Sequence, residues 1–398
     1  MTLRVITRRT DALPKSQPGS FVFNHNQNQL VGHGVALRLT AKGPNRISEL
    51  SRAWKDLCDS ADIQDDVQLP GSGLVAFTSI TFSEDSEFES VLIIPQHLSV
   101  IRDGVRFETI VEGEGEEATK LTPPTEDFVI GNLSPKGFLE AVHSAIGQIE
   151  NSNLEKVVLS RDLLMPLTQA PDLTLALERL AQRYPNCWVY NVGQVFGASP
   201  ELLLRSQKGE VSARVLAGTA GRGTDPDVDR AIAAGLKESH KNKHEHEFAV
   251  SSMLSELQPF CETLEADPQP FSLALPDLWH LATDVRGRLK PDFSLLDVVA
   301  KLHPTAAVAG TPRPLAQELI SQLENFDRGG YAGPVGWLAA DGSGELAIAL
   351  RGGLVEQTPA GYQIRAIAGC GIVSESDPEA ELAETELKFR AVRYAFEN

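Results

Sequence analysis

The 398-residue chain carries 36 Lys and Arg against 54 Asp and Glu, a net charge of −18 at pH 7, with 42% hydrophobic and 23% charged residues. That balance is the one found in soluble globular proteins, and its sign argues against a nucleic-acid or anionic-membrane surface as the main partner. An anionic small molecule then needs a local cationic pocket. The length leaves one large core or two ordinary ones open. The four cysteines, Cys58, Cys187, Cys261 and Cys370, are far apart and form no CxxC pair, which fits reduced, buried thiols. "MTLRVITRRT" lacks the apolar stretch of a secretory signal, and no apolar run approaches the roughly 18 residues of a membrane span. The expectation is a cytoplasmic protein.

In chain order, "HGVALRLT", "GLVAFTSITF" and "ESVLIIPQH" read as strands separated by turns. The acidic, Pro-containing stretch over 111–128 reads as an exposed loop and the best candidate boundary. "EKVVLSRDLLM" and "CWVYNVGQVFGASPELLLRS" again read as strands. The run 226–257 reads as helix, interrupted near Lys241. "GPVGWLAADGSGELAIALRGGLVE" predicts a hairpin turning at "DGSG". Asp377 as N-cap and Pro378 at the first helical position open a final helix. Strands joined by tight turns predict an antiparallel-rich α/β architecture over a doubly wound parallel sheet.

Three stretches hold candidate chemistry. In "KNKHEHEFAV" (241–250), His240 and His244 have the i,i+4 spacing of zinc ligands, but the order HxxxHEH lacks a glutamate between them. A solvated charged helix face is the plainer reading, although Glu245 shares its face with Ala249 and Ser252, small residues that leave room for a ligand. On the last helix, Glu381, Glu384 and Lys388 fall on one narrow face, equally consistent with a surface salt bridge. Before it, "IRAIAGCGIVSESDP" ends a strand in Gly369-Cys370-Gly371, where backbone approaches something closely. Carboxylates alone favour a hard cation such as Mg²⁺. Lastly, Lys156, Arg161 and Arg351 sit in strand-like apolar surroundings, where each either snorkels to the surface or is desolvated. Glu201, before three leucines, is either a strand-end surface residue or a buried acid able to donate a proton.

The ordered blocks "EKVVLSR", "FGASPELLLR", "LAGTAGRG", "KHEHE", "LWHLATDVRGRL", "LHPTAAVAGTPR", "FDRGGYAGPVGW", "IALRGG" and "AGCGIV…ELAETELK" resemble those of the chorismate-utilising enzymes, and within them the isochorismate synthases. The match runs from about residue 135 to the end. The resemblance implies a single large domain of the anthranilate synthase component I type, with two antiparallel-rich sheets packed together and helices outside. Residues 1–130 would be a diverged part of that scaffold and 131–398 the chorismate-binding core. It implies an Mg²⁺-dependent isomerisation that adds water at C2 of chorismate and expels the C4 hydroxyl. Lys156 would then be the general base and Glu201 the general acid. Such a pair requires a neutral lysine and a protonated carboxyl, both products of burial. Glu245 and Glu384 would hold Mg²⁺, with Glu381 in support. Arg351, Lys388 and Tyr331 would bind the substrate carboxylates, helped by the backbone near Gly369, Gly218 and Thr219. His280 would orient the ring, and the histidines flanking Glu245 would be bystanders.

Within the family, Ala307 followed by Val308 resembles the isochorismate-forming members, especially the menaquinone type, where aminating relatives and salicylate synthases tend to carry Thr or Ser. Cys370 replaces an alanine common in the GAG turn, and Asn242 stands where several relatives have an acidic residue. Salicylate synthase is the nearest alternative, followed by an aminating synthase, a non-catalytic chorismate-fold binding protein and a zinc hydrolase built on His240 and His244. The pathway served, menaquinone, siderophore or salicylate, is not written in the chain. No heptad or exposed apolar stripe stands out, which is compatible with a monomer or weak homodimer.

Overall fold

The computed structural model describes residues 3–113 and 121–397. Residues 114–120 of the loop expected at 111–128 lie outside the described residues, and Val111 and Glu112 belong instead to the strand Val105–Glu112. Among them the strands form two sheets, one of 13 strands and one of 10, with helices packed on their outer sides. Pairing is antiparallel apart from the strands Arg4–Arg9 and Asp62–Asp65. Early strands extend both sheets: Phe21–His25 pairs with Trp188–Val192, and Val75–Ser79 pairs with Pro334–Ala339. Val75–Ser79 and Ser90–Ile94 are buried at every position, as expected of short apolar runs in the core of a sandwich, covered on both faces.

Two long antiparallel pairs position the site. In the first sheet, Lys156–Leu167 runs against Gly361–Ile372. In the second, Glu210–Gly221 runs against Leu278–Leu289. Among the helices that cover them, Pro378–Phe396 packs on Gly361–Ile372 and His240–Leu257 packs on Glu210–Gly221.

The starts of both helices follow from local chemistry. Asp377 accepts from the Ala380 amide at 2.8 Å, with Pro378 at the first helical position as the sequence predicts. The break expected near Lys241 falls instead at Ser239. That residue is extended (φ −63°, ψ 121°), ends the helix Pro226–Glu238, and caps the next through the Asn242 amide. A serine hydroxyl satisfies a free N–H that the charged run after it has no means of satisfying. No helix among the described residues is long and apolar enough to cross a membrane.

Candidate active site

The two long pairs and their helices enclose a cavity of roughly 420 Å³, the size of a small-molecule site. The strand beginning at Lys156 turns alternate residues inward, and Val158 and Ser160 line the cavity. Lys156, on the same face, stands behind Glu245. Its Nζ donates to Glu245 Oε1 at 2.9 Å, and only 4% of the lysine is exposed. Glu245 faces the main cavity, while Lys156 lines an outer one with His240, Lys243 and His244. Lys156 and Glu245 therefore form an ion pair at the back of the cavity. The pair fits only because residue 371 is glycine. A Cβ there would lie 2.7 Å from both Glu245 Oε1 and Lys156 Cε.

The space expected beside Glu245 on its own helix is absent. Ala249 is buried in the core, and Ser252 bonds Glu256 rather than facing the cavity. Room comes from the strand opposite. His246 is not a solvated bystander but a buried tie. It bonds Ala217 O through Nδ1 at 3.2 Å and Thr283 Oγ1 through Nε2 at 2.7 Å, fastening the helix to both strands of the second pair. His240 and His244 are exposed, and no group of three or more His, Cys, Asp or Glu among the described residues is assembled to hold a metal.

Glu201 lies between the strands Val195–Ser199 and Leu202–Gln207, 3% exposed and lining the cavity. Burial pushes its carboxyl up to about 8, against the opposing pull of a Leu216 backbone hydrogen bond and of Lys156, Arg351 and Lys388. At pH 7 it carries its proton.

Gly218 adopts φ +81°, and the register slips at that point, pairing Ala217 with Leu281 but Thr219 with His280. This bulge turns Thr219 and His280 into the cavity. Thr219 Oγ1 lies 3.2 Å from His280 Nδ1, and Arg351 Nη2 lies 2.7 Å from His280 Nε2. Because a guanidinium only donates, His280 Nε2 accepts, and the ring proton sits on Nδ1. Burial, then the charges of Arg351 and Lys388, hold His280 well below its ordinary pKa, so the ring is neutral. Arg351 is in the left-handed region (φ +52°) at the start of the strand Gly352–Thr358, backbone strain that is found mainly at functional sites.

On the last helix, Lys388 Nζ lies 2.6 Å from Glu384 Oε1 and 2.6 Å from Gly369 O. Burial opposes its charge, but Glu384 more than offsets this and raises its pKa. Glu381 accepts from Ser376 Oγ at 2.8 Å, and Cys370 Sγ rests 3.6 Å from the Glu381 carbonyl. Ala307, Val308, Tyr331 and Asn242 complete the walls. Burial pushes the Tyr331 phenol up. Arg161, by contrast, is buried away from the cavity against the last helix, tying the strand to Thr385 (2.8 Å) and Glu386.

The residues given roles by the resemblance thus share one cavity, except Lys156, which stands just behind it. Two further wall residues, Arg328 and Ser160, carried no assignment. Arg328 is fully engaged with Glu324 (2.6 and 2.8 Å), Val308 O (3.0 Å) and Val158 O (2.8 Å). An arginine inside the Gly-rich, apolar "FDRGGYAGPVGW" carries the same signal that singled out Arg351. Replacing Arg328 by Ala strands Glu324 as a buried charge, and the expected loss is about 3–5 kcal/mol of stability, read as a lowered urea midpoint.

The model for the family "Chorismate binding enzyme" matches residues 94–397. The chain is 30% identical to "Isochorismate synthase DhbC" of Bacillus subtilis, over 97% of this chain and 96% of that one. It is 31% identical to "Salicylate biosynthesis isochorismate synthase" of Pseudomonas aeruginosa, over 91% and 81%. Among solved structures, the putative 2,3-dihydroxybenzoate-specific isochorismate synthase DhbC of Bacillus anthracis superposes with a TM-score of 0.78 at 29% identity, covering 94% of this chain and 96% of that one. The menaquinone-specific isochorismate synthase MenF of Escherichia coli, 22% identical with a TM-score of 0.79 over 99% and 95%, shares the fold. A matched region holding every acid and base of the cavity, and likeness over nearly the whole chain, lead to one conclusion: the chain belongs to the chorismate-binding enzyme family.

Proposed function

We propose that this protein is an isochorismate synthase, converting chorismate to isochorismate by adding water at C2 and expelling the C4 hydroxyl as water. The observation that carries the reading is the carboxyl of Glu201, buried in the cavity wall and still protonated near neutrality. A leaving hydroxide needs such an acid. Lys156, once its ion pair with Glu245 opens and its ammonium proton is released, is the base that takes a proton from the incoming water. Chorismate bears two carboxylates, and Arg351 and Lys388 supply the opposing charge. Neutral His280, fixed by Thr219 and Arg351, packs beside the ring without adding a charge of its own.

Glu245, Glu384 and Glu381 line the same cavity as an all-carboxylate donor set, the chemistry of a site for Mg²⁺. Protein donors now hold all three, so a cation would be taken up with substrate rather than into a preassembled cage. Mg²⁺ bound there would neutralise a substrate carboxylate and take over the charge of Glu245 that now pairs with Lys156. Purified protein given chorismate and Mg²⁺ is expected to accumulate isochorismate on chromatography and to lose at least about 100-fold in rate after EDTA treatment. Direct release of pyruvate with fluorescent salicylate overturns the product assignment, and unimpaired turnover in EDTA overturns the metal assignment.

A further inference from the structure

Ser160 Oγ is one of the few buried side-chain polar atoms among the described residues with no hydrogen-bond partner. Ser160 is 0% exposed and lines the cavity. Thr305 Oγ1, also without a partner, does not. Leaving a buried hydroxyl unsatisfied is costly, and such a group in a native structure calls for an explanation, a role in function among them.

The surroundings of Ser160 are rigid. Its amide donates to Glu324 Oε1 at 2.6 Å, and Glu324 is itself held by Arg328. Its register partner across the strand pair is Gly369. A Cβ at Gly369 would lie 2.4 Å from Ser160 Oγ, so glycine keeps that side of the hydroxyl clear. The Gly369 carbonyl accepts from Lys388 Nζ at 2.6 Å. Gly369 thus faces Ser160 across the strand pair and holds Lys388 through its carbonyl, and Ser160 and Lys388 both line the cavity.

We propose that Ser160 is a substrate-binding residue whose hydroxyl donates to a carboxylate oxygen of the bound substrate, beside Lys388. This rests on the reading of the cavity as a chorismate site. It gives Ser160 a function–stability conflict: the hydroxyl weakens the empty protein and strengthens the complex.

The test compares full-length wild type with Ser160→Ala. The expected KM for chorismate is about tenfold higher, with kcat within about threefold. The Tm of the unliganded variant is equal to or above wild type, and the Tm rise produced by chorismate in EDTA is smaller. A KM and chorismate-induced Tm rise within twofold of wild type overturn the proposal. So does a lowered unliganded Tm, which would assign the hydroxyl to the fold. If wild type neither turns chorismate over nor gains Tm from it, the chorismate reading fails and this assignment fails with it. An active wild type with an indifferent Ser160→Ala variant sinks Ser160 alone.

Discussion

Replacement of Lys156 by Gln is expected to lower kcat by about 10²–10⁴, the range for loss of a positioned acid or base, while KM for chorismate moves only a few-fold. Gln is the informative choice because it retains an N–H donor 2.9 Å from Glu245 in wild type but cannot take a proton. Lys156→Ala should be equally inactive and also less stable. It removes the lysine paired with Glu245, 15% exposed, and losing one partner of a largely buried ion pair is destabilising. The two variants separate chemistry from structure. Steady-state kinetics with both, alongside thermal unfolding, decide the matter. Turnover by Lys156→Gln within about tenfold of wild type removes the lysine as base, whatever happens to Lys156→Ala.

The second large effect concerns Glu201. Its carboxyl, raised to about 8, is an acid below that pH and useless as a proton donor above it. Wild-type kcat is expected to fall as pH rises through about 8. Glu201→Gln should lose about 10²–10⁴ in kcat and show no such fall. The same titration has a signature in stability. The unfolded carboxyl titrates near its ordinary 4.5, the folded one near 8. Between those values the folded state holds a proton that the unfolded state has lost, so Glu201's contribution is fully present below about 4.5 and disappears as pH rises through 8. Glu201→Gln, which has nothing to ionise, should therefore gain on wild type with rising pH, by a few kcal/mol at most. Denaturant unfolding of both proteins at pH 5, 7 and 9 measures this. A constant difference across the series contradicts a buried, protonated Glu201.

These two residues also divide what could be read from the chain from what could not. Each was visible as a charge among apolar neighbours, and the ordered blocks around them fixed the family and the antiparallel scaffold. Local chemistry was equally legible: the cap at Asp377 and the hairpin turning at "DGSG", with strands Pro334–Ala339 and Gly344–Ile348, depend on neighbours within a few positions. Partnerships across sheets were not legible. His246 looked like its exposed neighbours His244 and Glu247, because the face it presents to Ala217 and Thr283 exists only once helix meets strand. Ala249 offered apparent room that packing had already filled.

By itself the sequence determined which residues are acids, bases and glycines and how strands and helices alternate, since propensity, periodicity and capping act over short spans of chain. Only the tertiary structure decided that Glu201 is protonated, that Lys156 is tied to Glu245, that Arg328 and Ser160 belong to the wall, and that His280 is neutral. Desolvation and ion pairing depend on what lies within a few ångströms in space, and here those neighbours come from strands and helices as much as two hundred residues apart.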